Sequence, residues 1–158
     1  MTIQARTSKA FVNGTRSAKA TVFSAVVAKQ NNSDVIQATL DDQNDSLDIL
    51  VNGNISLKSK DLSENQTREF NNVDLALSQN GSLAITFSSG TSLEVTVLPG
   101  LISIAVNAPL SLQGQSVGLL GTWNGDINDD FTRPDGTKIP INATEFEVYY
   151  GFGEKCKY

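Results

Sequence analysis

The chain has 158 residues, carries 12 Lys and Arg against 17 Asp and Glu, and contains no histidine. A formal net charge of −5 with scattered basic residues excludes the clustered Lys and Arg that a phosphate backbone requires, so nucleic acid is not an expected partner. The absence of histidine removes the commonest general base and transition-metal ligand, and no run of about 18 apolar residues is present to span a bilayer.

Residues 2–12 read as a strand, and Asn13-Gly14-Thr15 as a turn. Residues 19–29 alternate β-branched and apolar side chains, as do 35–41 beyond the polar turn Asn31–Asp34. Residues 46–51 form the next strand, and Asn52-Gly53 predicts a hairpin back into 54–59. After a polar loop at 60–67, residues 68–78 are ambiguous, with a strand only at 73–78. Asn80-Gly81, Ser89-Gly90-Thr91 and Pro99-Gly100 then separate strands at 83–88, 92–98 and 101–107. About eight or nine strands, with turns every eight to twelve residues and no βαβ spacing, predict an all-β fold, an antiparallel sandwich or barrel. Beyond Pro109 the pattern changes to a glycine-rich loop or single helical turn over 108–122, then an acidic loop, a Pro134-Asp135-Gly136 turn and one short helix. That helix is capped by Thr144 and runs to about Phe152, with Phe146, Tyr149 and Tyr150 expected to dock on the sheet.

Seven of the fourteen asparagines lie in N-x-[ST] sequons: Asn13, Asn31, Asn44, Asn54, Asn65, Asn80 and Asn142. With 29 Ser and Thr in the chain, chance would give roughly two or three, so the excess points to a secreted glycoprotein with its acceptors on surface loops. Residues 1–10 have no apolar core of a secretory leader, so secretion implies an internal piece of a longer precursor. Cys156 is the only cysteine; it is either a terminal free thiol or half of a disulfide whose partner lies outside the chain.

The chemistry concentrates in residues 117–136, VGLLGTWNGDINDDFTRPDG. Asn124, Asp126, Asn128 and Asp130 recur at every second position, with Asp129 added and Gly125 permitting a tight bend. Such spacing can bring carboxylate, amide and carbonyl oxygens onto a hard cation such as calcium, and a dication would relieve the repulsion among the acids. A solvated turn whose Asn and Asp side chains cap backbone amides fits the same spacing. The segment is no EF-hand, because Asp129 would occupy the glycine position and Asp135 that of the bidentate glutamate. No nucleophile–base pair or phosphate loop is present, and a hydrolase would need two of the loop carboxylates across a cleft. No catalytic residue is assigned, and the chain is expected not to be an enzyme.

The run from Val117 to Phe131 resembles the signature of the von Willebrand factor type D domain, which reads C-G-L-C-G-x-[FWY]-[ND]-G before an Asn/Asp-rich loop ending in D-D-[FL]. TIQARTSKAFVNGTRSAKATVFSAVVA and TRPDGTKIPINATEFEVYYGFG are similar to the form found in membrane mucins and in sushi-domain-containing proteins beside an AMOP module. The resemblance implies an extracellular β-sandwich spanning residues 1–158 as a single domain that lacks its N-terminal strands. It also implies one structural Ca2+ held by Asn124, Asn128, Asp129 and Asp130, with Asp126 contributing its carbonyl or carboxylate. The motif cysteines are replaced by Val117 and Leu120, so the family's local disulfides and disulfide-linked multimers are not expected. Cys156 is then expected to pair with a cysteine in the missing N-terminal part or in a following module. The implied function is a non-catalytic, calcium-stabilised module of a secreted or membrane-anchored, mucin-like glycoprotein that serves adhesion or matrix assembly. Its partners would be other modules of the precursor and matrix or cell-surface proteins. The alternative is an acidic, glycosylated matrix protein contacting mineral or polysaccharide.

Overall fold

The structure, a computed structural model, describes all residues except 13–14, 42–44, 64–65, 79, 117–121, 134, 149 and 152–158, and only the backbone of 11, 12, 15–20 and 145. It divides into two compact units, Met1–Ala108 and Pro109–Tyr158.

The first unit is antiparallel β with one 3-10 turn, Ser59–Asp61, among its described residues. Strands β1 (Thr2–Val12), β2 (Thr15–Lys29), β3 (Ile36–Leu40), β4 (Leu47–Val51) and β5 (Asn54–Lys58) form one sheet in chain order. Strands β6 (Thr67–Phe70), β7 (Val73–Leu77), β8 (Leu83–Phe87), β9 (Ser92–Leu98) and β10 (Leu101–Asn107) form the second, again with sequence neighbours paired. Each sheet is therefore a meander that closes locally. Alternation buries one face of each: Val26, Ile36 and Ile49 from the first sheet share a cluster with Leu75, Ile85, Phe87 and Val95 from the second. The two inner faces make a single apolar core, which is the sandwich arrangement. Full burial of a side chain such as Phe87 contributes roughly 2–3 kcal/mol.

Local chemistry explains the turns. Asn52 (φ 52°) and Gly53 (φ 84°) both adopt left-handed backbone between β4 and β5, as the predicted Asn-Gly hairpin requires. The structure adds a tenth strand, β6, where the sequence was ambiguous. TREF has no inward apolar alternation because most of it is exposed on a sheet edge, and the hairpin into β7 is made by Asn71-Asn72, with Asn72 at φ 57°. Strand β2 also begins at Thr15, ahead of the expected residue 19, and pairs with β1 down to Val12↔Thr15.

Two polar devices hold this unit's loops. The Asp34 carboxylate accepts from Asn52 Nδ2 (2.8 Å) in the first sheet's turn and from the Asn71 amide (3.1 Å) in the second sheet's turn. The Asn32 carbonyl accepts from Asn71 Nδ2 (3.0 Å) and Asn72 Nδ2 (2.7 Å). Buried Asp41, between β3 and β4, accepts from Ser46 Oγ (2.8 Å) and from the amides of Asp45 (3.1 Å) and Ser46 (3.4 Å).

The described residues of the second unit have little regular structure. A 3-10 turn at Leu110–Leu112 fits the expected single helical turn, and a second lies at Ile127–Asp129. The α-helix, α1, is Glu145–Val148, helical backbone of the π type follows at Tyr150 and Gly151, and the expected end near Phe152 lies outside the described residues. Thr144 caps it as expected, and reciprocally: the Glu147 amide donates to Thr144 Oγ1 (3.3 Å) while the Thr144 amide donates to Glu147 Oε2 (2.8 Å), a capping box. Phe146 is 69% exposed and its ring lies 4.4 Å from that of Tyr150, so the two rings cover each other; Tyr149 lies outside the described residues.

Candidate metal centre

The loop from Thr122 to Asp130 is built by Asn and Asp side chains bonding to the backbone just ahead. Asn124 Oδ1 accepts from the Asp126 amide (2.8 Å), and Asp126 Oδ1 accepts from the Asn128 amide (3.0 Å) and from Asn128 Nδ2 (2.8 Å). Gly125 between them sits at φ 83°, a conformation that side-chain-bearing residues rarely adopt. These are the Asn/Asp turns that the solvated-turn reading anticipates, and they are also what curls the loop. Hydrogen bonds from the backbone and side chain of Asn128 hold the Asp126 carboxyl below the usual carboxylate range, with a smaller contribution from the positive charge of Lys138.

Curling brings four of the five sequence-predicted ligands into direct contact in pairs. Asn124 Nδ2 donates to Asp129 Oδ2 at 2.9 Å, linking the two ends of the turn. Asp130 Oδ1 accepts from the Thr122 amide at 3.1 Å and closes the loop at its base. The Asp129 carbonyl accepts from Thr132 Oγ1, and Lys138 Nζ lies 3.6 Å from Asp129 Oδ2. Asp135, beyond the loop, caps its own turn by accepting from the Thr137 amide at 2.9 Å, which lowers its carboxyl from the ordinary value.

One atom is left over. Asp129 Oδ1 is buried and has no hydrogen-bond partner. A buried anionic oxygen without a partner is costly, and a cation is the partner its charge calls for. The loop's polar side chains offer carboxylate and amide oxygens, the chemistry of calcium rather than of zinc or copper. No group of three or more carboxylates, imidazoles or thiols gathers among the described residues. Carboxylates alone therefore do not form a cage, and the amide oxygens of Asn124 and Asn128 with backbone carbonyls would have to complete it. On those terms the residues fit a hard cation.

Sequence reasoning missed Lys138 and Thr132, because pairing between them is set by the short β-bridge Thr132↔Lys138 rather than by spacing within the acidic run. Of the sequons, Asn31, Asn54, Asn80 and Asn142 are exposed. Asn54 opens strand β5 rather than lying in a loop, and Asn80 is engaged, its Nδ2 donating to Glu94 Oε1 at 3.1 Å. Asn13, Asn44 and Asn65 lie outside the described residues, as do Val117, Leu120 and Cys156. Open grooves among the described residues include two. One is lined by Leu57, Asp61, Leu62, Arg68, Glu69 and Phe70, the other by Arg133, Lys138, Ile139, Pro140, Asn142 and Glu147. The carboxylates of Asp126, Asp129 and Asp130 line neither, so neither groove is the cleft that a hydrolase using the loop would need. No helix among the described residues is long and apolar enough to cross a membrane.

Known proteins share this geometry's sequence. The model of the von Willebrand factor type D domain family matches residues 7–137, which include the whole Asn/Asp loop. Protein mesh of Bombyx mori is 34% identical over 137 residues, covering 81% of this chain and 8% of the relative. Sushi domain-containing protein 2 of Homo sapiens is 27% identical over 147 residues, 93% of this chain and 17% of the relative. Mucin-4 of Homo sapiens is 30% identical over 144 residues, 88% of this chain and 3% of the relative. The chain thus spans at most 17% of the length of these relatives.

Proposed function

The chain belongs to the von Willebrand factor type D domain family, and from that premise we propose that it is a non-catalytic, calcium-binding extracellular module of a mucin-like glycoprotein, serving cell adhesion or matrix assembly. The observation that carries the cation part is Asp129 Oδ1, a buried carboxylate oxygen without a hydrogen-bond partner, on the carboxylate whose other oxygen accepts from Asn124. Asn124, Asp126, Asn128, Asp129 and Asp130 would hold the ion. Bound calcium would neutralise the clustered carboxylates and fix the loop's conformation; the protein's own Asn/Asp turns and the Asp130–Thr122 bond set the loop's curvature around it.

The adhesion part is supported by the kind of relatives that share the domain: a sushi-domain protein and a mucin. It is also supported by the sequon density, and glycans at Asn31, Asn54 and Asn142 would project from exposed positions. The carboxylates of the loop lie within a few residues of one another, which favours one closed ion site over the extended acidic array that mineral binding would use.

The test is a binding assay on cell layers and on deposited matrix, with the secreted, glycosylated protein in calcium or in EGTA. Retention that is lost in EGTA and restored by calcium is the expected result. Equal retention in both, or none in either, would remove the calcium-dependent adhesion reading.

A further inference from the structure

One basic residue stands at the acidic loop, and the role assigned to it here rests on the cation reading of that loop. Lys138 Nζ lies 3.6 Å from Asp129 Oδ2, on the same carboxylate whose other oxygen is buried and unpartnered. The chain is folded to deliver it there. Asp135–Gly136 reverses the backbone, with the Gly136 amide donating to the Arg133 carbonyl and the Arg133 amide to the Thr137 carbonyl, both at 2.9 Å. The bridge Thr132↔Lys138 comes next, and buried Ile139, whose amide donates to the Phe131 carbonyl at 3.0 Å, anchors the returning arm. Thr132 in turn donates to the Asp129 carbonyl. Lys138 and Asp129 are thus held at fixed backbone positions on either side of a narrow hairpin.

The two partners differ in burial. The side chain of Lys138 is 58% exposed and that of Asp129 only 15%. The ammonium is tethered by a flexible four-carbon stem and is readily hydrated when it leaves, whereas the carboxylate stays where it is and needs another cation in its place. A dication that engages Asp129 meets this positive charge within one or two side-chain lengths, and the two repel.

We propose that Lys138 is the loop's resident counter-ion and sets its cation affinity, because a divalent ion must displace the ammonium from Asp129. Lysine holds the acidic loop together when no metal is bound and yields to calcium when it is. The site is thereby weakened so that it fills only at the higher calcium concentrations typical outside cells.

Calcium titration calorimetry on wild type, Lys138→Met, Lys138→Gln and Lys138→Arg tests this. Both neutral variants are expected to bind calcium about fivefold more tightly at moderate salt, from the Coulomb repulsion removed after screening; Lys138→Arg is expected to bind as wild type does. In EGTA the neutral variants are expected to melt below wild type, and in saturating calcium the gap closes. Unchanged or weaker calcium affinity in Lys138→Met and Lys138→Gln, with wild type still binding, overturns the counter-ion role alone. No calcium binding by any of the four proteins overturns both this inference and the cation reading beneath it.

Discussion

Asp129 and Asp41 show how differently one carboxylate can be treated within one chain. Burial alone would raise the Asp41 carboxyl, but hydrogen bonds from Ser46 Oγ and from the amides of Asp45 and Ser46 outweigh it and lower the pKa to about 2. Its folded value lies below its ordinary one, so the stability it contributes is complete above about pH 4 and is lost as the pH falls towards 2. Asp41→Ala is expected to cost about 1–3 kcal/mol at neutral pH, since it leaves the Ser46 hydroxyl and amide without their acceptor. Urea denaturation at pH 7 and near pH 2 checks this, and the gap between wild type and variant should narrow at the lower pH. Asp129, by contrast, has one oxygen paired with Asn124 and Lys138 and the other with nothing. The residue types of the loop were legible in the sequence, because alternate Asn and Asp stand out against a chain of strands. Which oxygen is left without a partner was not, because that depends on the bridge that brings Lys138 back from further along the chain.

At the scale of elements, the strands that were easiest to read are those with one buried face. β4, β8 and β9 alternate because their inward positions must be apolar. β6 was hidden for the complementary reason: an exposed edge strand has no face to bury, and only the turn after it marks it. That turn depends on left-handed backbone at Asn72. Asn72→Ala is expected to cost about 1–2 kcal/mol, from the left-handed strain and from the lost bond to the Asn32 carbonyl. Asn72→Gly should cost less, since it relieves the strain and forfeits only the bond. Equal losses in chemical denaturation would assign the whole effect to the bond between the loops. The short helix was legible through Thr144 and Glu147, whose reciprocal capping holds the Glu147 carboxyl below its usual range. Helical backbone is still present at Tyr150 and Gly151, and the expected end near Phe152 lies outside the described residues.

For the whole molecule, the two meanders explain why cadence alone predicted the architecture. Sequence neighbours are spatial neighbours in both sheets, so every hairpin cue was also a topology cue. The pairing of the two inner faces could not be read that way; it arises because each sheet has a single apolar face to hide. Phe87→Ala, which removes the largest fully buried side chain among the described residues, is expected to cost about 3–5 kcal/mol. A net charge of −5 on a chain with an acidic loop makes a dication a favourable partner for the molecule and not only for the site. Trp123, the only tryptophan, stands beside Asn124 and reports on that loop without labelling. The most direct measurement is therefore a thermal melt followed by Trp123 fluorescence, in calcium, magnesium or EGTA, for wild type and Asp130→Ala. At calcium about a hundredfold above its dissociation constant, mass action predicts a rise of about 5–10 °C for wild type, a smaller one in magnesium and none for the variant. Coincident wild-type melts in calcium and EGTA would contradict the assignment of the loop as a calcium site.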